Sequence, residues 1–193
     1  MPNAPNNTKY TKNREKIFKF NDLRNDGPFL AIRMEGSKKS IEERILDLSI
    51  ELNLKNKKKS FLDFHQSVLF WERINNLEIF SNTQNCLVRI VIPPSKCIDL
   101  MEYLGSEYKY YIDWCGSIFW IEIADITQKK LSTIKNYIIK LSGYLTVIKI
   151  PKNLISIKDV FTIDDTRLQI SKKIKESFDP KGIFNPGKIY RSI

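Results

Sequence analysis

The sequence predicts an α+β fold: an antiparallel sheet with helices on one face, then a C-terminal helix and an extended tail. Three observations carry this. After residue 85 the hydrophobic pattern runs strand, helix, hairpin, helix, strand. An antiparallel hairpin at the centre of that series, with a helix on either side of it, defines a ferredoxin-like arrangement. Helical spacing then returns at Leu168, Ser171, Ile174 and Phe178, and Pro180 ends it by lacking an N–H and pushing Asp179 out of the α region.

Residues 1–26 are polar, with two early prolines, and read as a tail or a truncated connection. Asp26-Gly27-Pro28 is turn chemistry, and 29–34 reads as a short strand ending at Glu35-Gly36. Ser40-Ile41-Glu42-Glu43 matches a capping box. Behind it Ile41, Ile45, Leu48 and Leu52 keep helical spacing, so a helix is expected over about 40–53. Lys57-Lys58-Lys59 reads as a solvated exit loop. Phe61, Phe64, Val68 and Trp71 mark a second helix running to about Asn76, with His65 on its surface or at its cap.

Residues 86–92 form a strand with Val88, Ile90 and Ile92 on one face, stopped by Pro93-Pro94. Ser95 is expected to cap a helix carrying Ile98, Met101 and Leu104. Residues 108–114 and 118–123 make a hairpin turning at Cys115-Gly116-Ser117. Thr127 caps a helix with Leu131, Ile134, Ile138 and Leu141 inward, and Gly143 is its expected C-cap. Residues 144–150 are the last strand. After the terminal helix, Gly182 and Asn185-Pro186-Gly187 provide two stiff turns that hold Ile183 and Phe184 between them.

A chain of 193 residues suits one domain, or one domain with a small second lobe. With 42% hydrophobic and 28% charged residues it reads as soluble and globular. The net charge of +10 is spread along the chain, as on a solvated basic surface. Cys86, Cys97 and Cys115 are odd in number and too far apart for a CxxC site, which fits a reducing compartment. One histidine cannot build a multi-histidine metal site, so no metal ligand is assigned. No apolar run approaches the ~20 residues of a membrane helix, and the first residues lack the apolar core of a signal peptide. The expected location is cytoplasmic, either free or peripheral to the inner membrane.

The run Phe178-Asp179-Pro180-Lys181-Gly182-Ile183-Phe184-Asn185-Pro186-Gly187-Lys188 resembles the terminal motif of FAD-linked oxidases of the vanillyl-alcohol-oxidase type. That group includes glycolate oxidase and D-lactate dehydrogenase subunits. Val88-Arg-Ile-Val-Ile-Pro-Pro94, Ile112-Asp-Trp-Cys-Gly116 with Trp120, Ser142-Gly-Tyr-Leu-Thr-Val-Ile-Lys149 and Ile32-Arg-Met-Glu-Gly36 resemble successive pieces of the FAD-binding E subunit of bacterial glycolate oxidase. The resemblance implies FAD as cofactor, a cap (substrate) domain over 27–160, and a helix and arm over 161–193 that docks on a flavin domain. It implies a flavin-site edge at Asn185, Gly187 and Lys188, and substrate or cap-face candidates at Trp114, Tyr144 and Lys149. The implied partners are that flavin domain or a D-like flavoprotein subunit, and an iron–sulfur subunit. No catalytic base is assigned.

The sequence departs from that subunit at Ser117 and Ser142, where glycines are usual, at Tyr144 for a histidine and at Lys149 for an arginine. Lysine keeps the charge but loses the bidentate fork for a carboxylate. Glycine-rich loops that cradle a pyrophosphate are missing, because the seven glycines never cluster. The expectation is therefore the C-terminal, cap-domain part of an FAD-binding subunit of a complex oxidising 2-hydroxy acids, truncated or one half of a split pair and inactive alone. The alternative of another class is a basic ferredoxin-like module binding RNA or another anion, though no RNP1-like run occurs. A structural relic without activity is the third reading.

Overall fold

A computed structural model describes residues 28–54, 60–151, 160–187 and 190, and the chain divides into two compact units at Ser81/Asn82. The expected tail 1–26 and the lysine run 57–59 lie outside the described residues.

In the first unit, α1 spans Lys38–Glu51 and α2 spans Phe64–Asn75. The strand expected over 29–34 is not formed. These residues are largely exposed, and no described strand pairs with them to satisfy their backbone groups. The cap of α1 is Ser37 rather than Ser40: its side chain accepts the Ser40 amide at 3.4 Å, so the helix starts three residues before the predicted box. Glu43 instead pairs with Lys39 one turn back. The stronger box is one the sequence reading missed. At α2, Asp63 accepts from the Gln66 amide at 2.9 Å while Gln66 accepts from the Asp63 amide at 3.1 Å. The predicted stripe of Phe61, Phe64 and Val68 is exposed, and the buried residue of α2 is Phe70, set edge-on to Trp71.

The second unit holds the sheet. Its strands are β1 (Cys86–Val91), β2 (Lys109–Asp113), β3 (Ile118–Ile123) and β4 (Tyr144–Lys149), in the order β2-β3-β1-β4 with every neighbour antiparallel. With α3 (Cys97–Leu104) between β1 and β2, and α4 (Gln128–Lys140) between β3 and β4, this is the predicted ferredoxin-like connectivity. Alternation decides which side chains meet the helices. Val88 and Ile90 of β1, Phe119 and Ile121 of β3, and Leu145 and Val147 of β4 form one buried face. Leu100 and Leu104 of α3 and Leu131, Ile134 and Ile138 of α4 close over it. The helices are joined by Tyr137, which stacks on Tyr103 at 3.9 Å and donates to the Asp99 carbonyl at 3.1 Å.

In the sheet unit two caps differ from expectation and one agrees. Thr127 caps α4 as predicted, accepting the Lys130 amide at 3.1 Å. Ser95 makes no cap: the proline at position 94 starts a short 3-10 turn, and α3 begins only at Cys97. At the end of α4 the left-handed residue is Ser142 (φ 57°), not Gly143. Gly143 is needed for space, since a Cβ there would stand 2.6 Å from Ile92 Cγ2 and 2.8 Å from the Val91 carbonyl. Ser117 sits at φ −89°, where a serine is unstrained.

The terminal helix α5 spans Asp165–Phe178, as the spacing and Pro180 foretold. Asp164 caps it by accepting the Arg167 amide at 2.8 Å. None of its residues is buried.

Candidate functional site

A concavity lies where the start of α5 meets the edge of β4. An edge strand leaves a row of backbone N–H and C=O groups unpaired, and here residues 160–162 cover part of that row. The Val147 amide donates to the Val160 carbonyl at 2.7 Å, the Thr162 amide to the Leu145 carbonyl at 2.9 Å, and the Leu145 amide to the Thr162 hydroxyl at 2.7 Å. The chain then turns into α5, leaving a groove of about 400 Å³. Leu145 and Thr162 are its buried residues; Tyr144, Phe161, Ile163, Ile170 and Tyr190 give it aromatic and aliphatic walls. Arg167 supplies its cation, 4.5 Å over the Tyr144 ring. Tyr190 packs edge-on to Phe161 at 6.0 Å, and burial pushes its phenol up from the ordinary value.

At the other end of α5 the chain builds a self-contained turn. Asp179, only 7% exposed, accepts the Ile183 amide at 2.9 Å and the Phe184 amide at 2.8 Å. Lys175 donates to Asp179 Oδ2 at 2.6 Å and also reaches the Phe184 carbonyl. The Lys175 bond, opposed by burial and helped by the two amides and the lysine charge, lowers the Asp179 pKa to about 2. Gly182 (φ 62°), Asn185 (φ 48°) and Gly187 (φ 67°) take the left-handed positions that tighten the loop. The hydrophobic side chains are left outside, with Phe178 84% exposed and Ile183 and Phe184 about as open as each other.

Residues 161–189 match the family described as FAD linked oxidases, C-terminal domain. The match takes in Phe161, Thr162 and Ile163 of the groove wall, all of α5 and the terminal turn, and leaves out the β4 side of the groove. No curated protein and no solved structure matches the chain.

The sequence-predicted site residues do not form one cluster. Asn185 and Gly187 lie together on the exposed terminal turn, and Lys188 lies outside the described residues. Trp114 is 74% exposed at the β2–β3 turn, beside the edge strand opposite β4. Tyr144 and Lys149 stand at opposite ends of β4, and only Tyr144 borders the groove. Lys149 donates to the Thr83 carbonyl, which anchors its ammonium on that side. Arg167, Phe161, Tyr190 and Asp179 were missed as site residues. Asp179 had a readable signal, an aspartate at a helix end followed by proline and glycine, which is the chemistry of a side chain capping amides a few residues on.

The described residues do not fit a whole FAD. The Ile183 and Phe184 amides, which could have faced an anion, are occupied by the Asp179 carboxylate. Glycines that would let successive amides line a pyrophosphate do not cluster. Among the described residues no group of three or more His, Cys, Asp and Glu could hold a metal ion, and no helix is long and apolar enough to cross a membrane. Burial pushes the Cys86 thiol up to about 11 and raises that of Cys97, which disfavours the reactive thiolate at both.

The sheet face away from α3 and α4 carries one further row. Tyr111, Trp120 and Arg89 lie side by side on β2, β3 and β1, with the two rings stacked at 6.3 Å and the guanidinium 5.9 Å from the Trp120 centroid. Burial, aided by the Asp113 charge, raises the Tyr111 phenol strongly. Beside that row Glu122 accepts from the Thr83 hydroxyl at 2.5 Å and Asn85 at 2.8 Å, and pairs with Lys109 at 3.2 Å. Desolvation opposes ionisation there, but these donors outweigh it and lower the Glu122 pKa.

Proposed function

We propose that this chain is the C-terminal, cap-domain part of an FAD-linked oxidase of the glycolate oxidase kind, acting on 2-hydroxy acids. In this reading residues 27–160 are the cap and 161–193 the arm that reaches a flavin domain on another segment or subunit. The observation that carries the reading is the family match on 161–189, which falls on a turn shaped by its own hydrogen bonds with Phe178, Ile183 and Phe184 facing outward. FAD would supply the redox step. The chain would contribute a flavin-site edge at Asn185, Gly187 and Lys188, and a cap surface that includes Tyr144. Trp114 and Lys149 stay cap-face residues in this proposal. A D-like flavoprotein and an iron–sulfur subunit are the partners it implies.

The experiment is a flavin titration followed by reconstitution. Alone, the chain is expected not to quench FAD fluorescence stoichiometrically. Mixed with the flavin domain of a glycolate oxidase-type flavoprotein, it is expected to associate and to restore glycolate-dependent dye reduction, and Asp179→Ala to weaken that association about tenfold by loosening the turn. Stoichiometric FAD on the chain alone, or no association with a flavin domain, overturns the proposal. The RNA-binding alternative draws on Trp120, Tyr111 and Arg89 sharing one sheet face, yet these rings stack on one another and not outward. Tight RNA mobility shifts that fall steeply with salt would favour it.

A further inference from the structure

We propose that the groove between β4 and α5 is a binding site for a small organic carboxylate bearing an aromatic or branched apolar tail. This site stands on its own geometry and needs neither flavin nor a partner chain. Its volume, about 400 Å³, falls within the range of small-molecule pockets. Three rings, Tyr144, Phe161 and Tyr190, and the side chains of Ile163 and Ile170 surround it, so an apolar tail has somewhere to go. A two-carbon acid would leave most of that wall wet.

The charge is placed for an anion. Arg167 is held on two sides: its Nε faces Asp164 at 3.4 Å and its plane rests over Tyr144 at 4.5 Å. Its two terminal nitrogens make no hydrogen bond to a described residue, and that free edge is the fork that binds a carboxylate bidentately. No carboxylate is among the groove-lining residues, so nothing within it competes for the fork. The Ser171 and Thr146 hydroxyls, also on the lining, can donate to the second lone pairs of a bound carboxylate or to a neighbouring hydroxyl. Lys149, at the far end of β4, does not line this groove and donates to the Thr83 carbonyl.

The test is calorimetric titration of the whole chain with 3-phenylpropionate, its neutral amide and acetate, with NMR shifts of the Arg167 side chain as a second readout. Phenylpropionate is expected to bind at least about tenfold more tightly than either other probe, since the amide forfeits the charged fork and acetate the apolar walls. Arg167→Gln is expected to lower affinity about tenfold or more, and Arg167→Lys to recover part of it. Circular dichroism of each variant checks that the sheet is intact. Ile170→Asp is the second probe, placing a like charge on the wall, and is expected to abolish binding. Equal affinity for the amide or for acetate, no saturable binding, or an unchanged affinity in the folded Arg167→Gln protein each overturns the site.

Discussion

Asp179 orders the terminal turn because one carboxylate meets two backbone amides and one ammonium, all between Lys175 and Phe184. Its folded pKa of about 2 lies below the ordinary 3.8, so the carboxylate contributes stability that is complete above the ordinary value. That contribution is lost as pH falls through 2. The Ile183 and Phe184 amides should therefore be protected from hydrogen exchange at about pH 5 and lose protection progressively toward pH 2, after correction for intrinsic rates. Asp179→Asn should remove the protection at every pH while leaving the sheet amides unchanged. Protection that ignores both pH and this substitution would show that the turn is held by something else. The motif itself could be read from Asp179, Pro180, Gly182 and Asn185-Pro186-Gly187. The bonding partner of Asp179 could not be, because Lys175 lies back on the helix face, where a lysine ordinarily points to solvent.

At the scale of elements, the join between α4 and β4 leaves no room for a side chain at Gly143. Gly143→Ala would push a methyl against Ile92, the Val91 carbonyl and Ile138, all firmly placed in or beside the core. The expected loss is about 1–3 kcal/mol, read as a lower urea midpoint with an unchanged slope. An unchanged midpoint would mean that the join yields. Most elements were legible because their hydrophobic period is the period of burial: 3-and-4 spacing in α4, alternation in β1 and β3. The exceptions share a cause. A strand at 29–34 requires a partner that local composition cannot specify, and the choice of Phe70 over Phe64 as the buried face of α2 depends on neighbours distant in sequence. Likewise the groove forms only because 160–162 pairs with β4, and no local signal announces that pairing.

For the whole molecule, burial is very unevenly distributed. The sheet unit carries the continuous core, while α1 buries no residue and α2 only one. Hydrogen exchange by mass spectrometry should find β1 and β3 amides at least about 100-fold slower than those of α1, because α1 has no fully buried side chain while β1 and β3 lie in the core. Equal rates would show that the first unit is as firmly held as the second. The α+β architecture was therefore readable chiefly in the part of the chain that has a core to impose it. The same division governs what could be read around the candidate site: the motif is local, whereas the groove and the Lys149–Thr83 bond are made by residues far apart in sequence.

Among the described residues, every hydrogen bond that shapes the terminal turn runs between residues 175 and 184. The turn thus has its form before it touches anything. A surface that receives it need not supply the free energy of ordering a flexible tail, about 1–2 kcal/mol for each backbone residue fixed. Pre-organisation of this kind lets a short arm with few apolar side chains hold on through a small footprint, and lets the same arm be carried intact to a different scaffold.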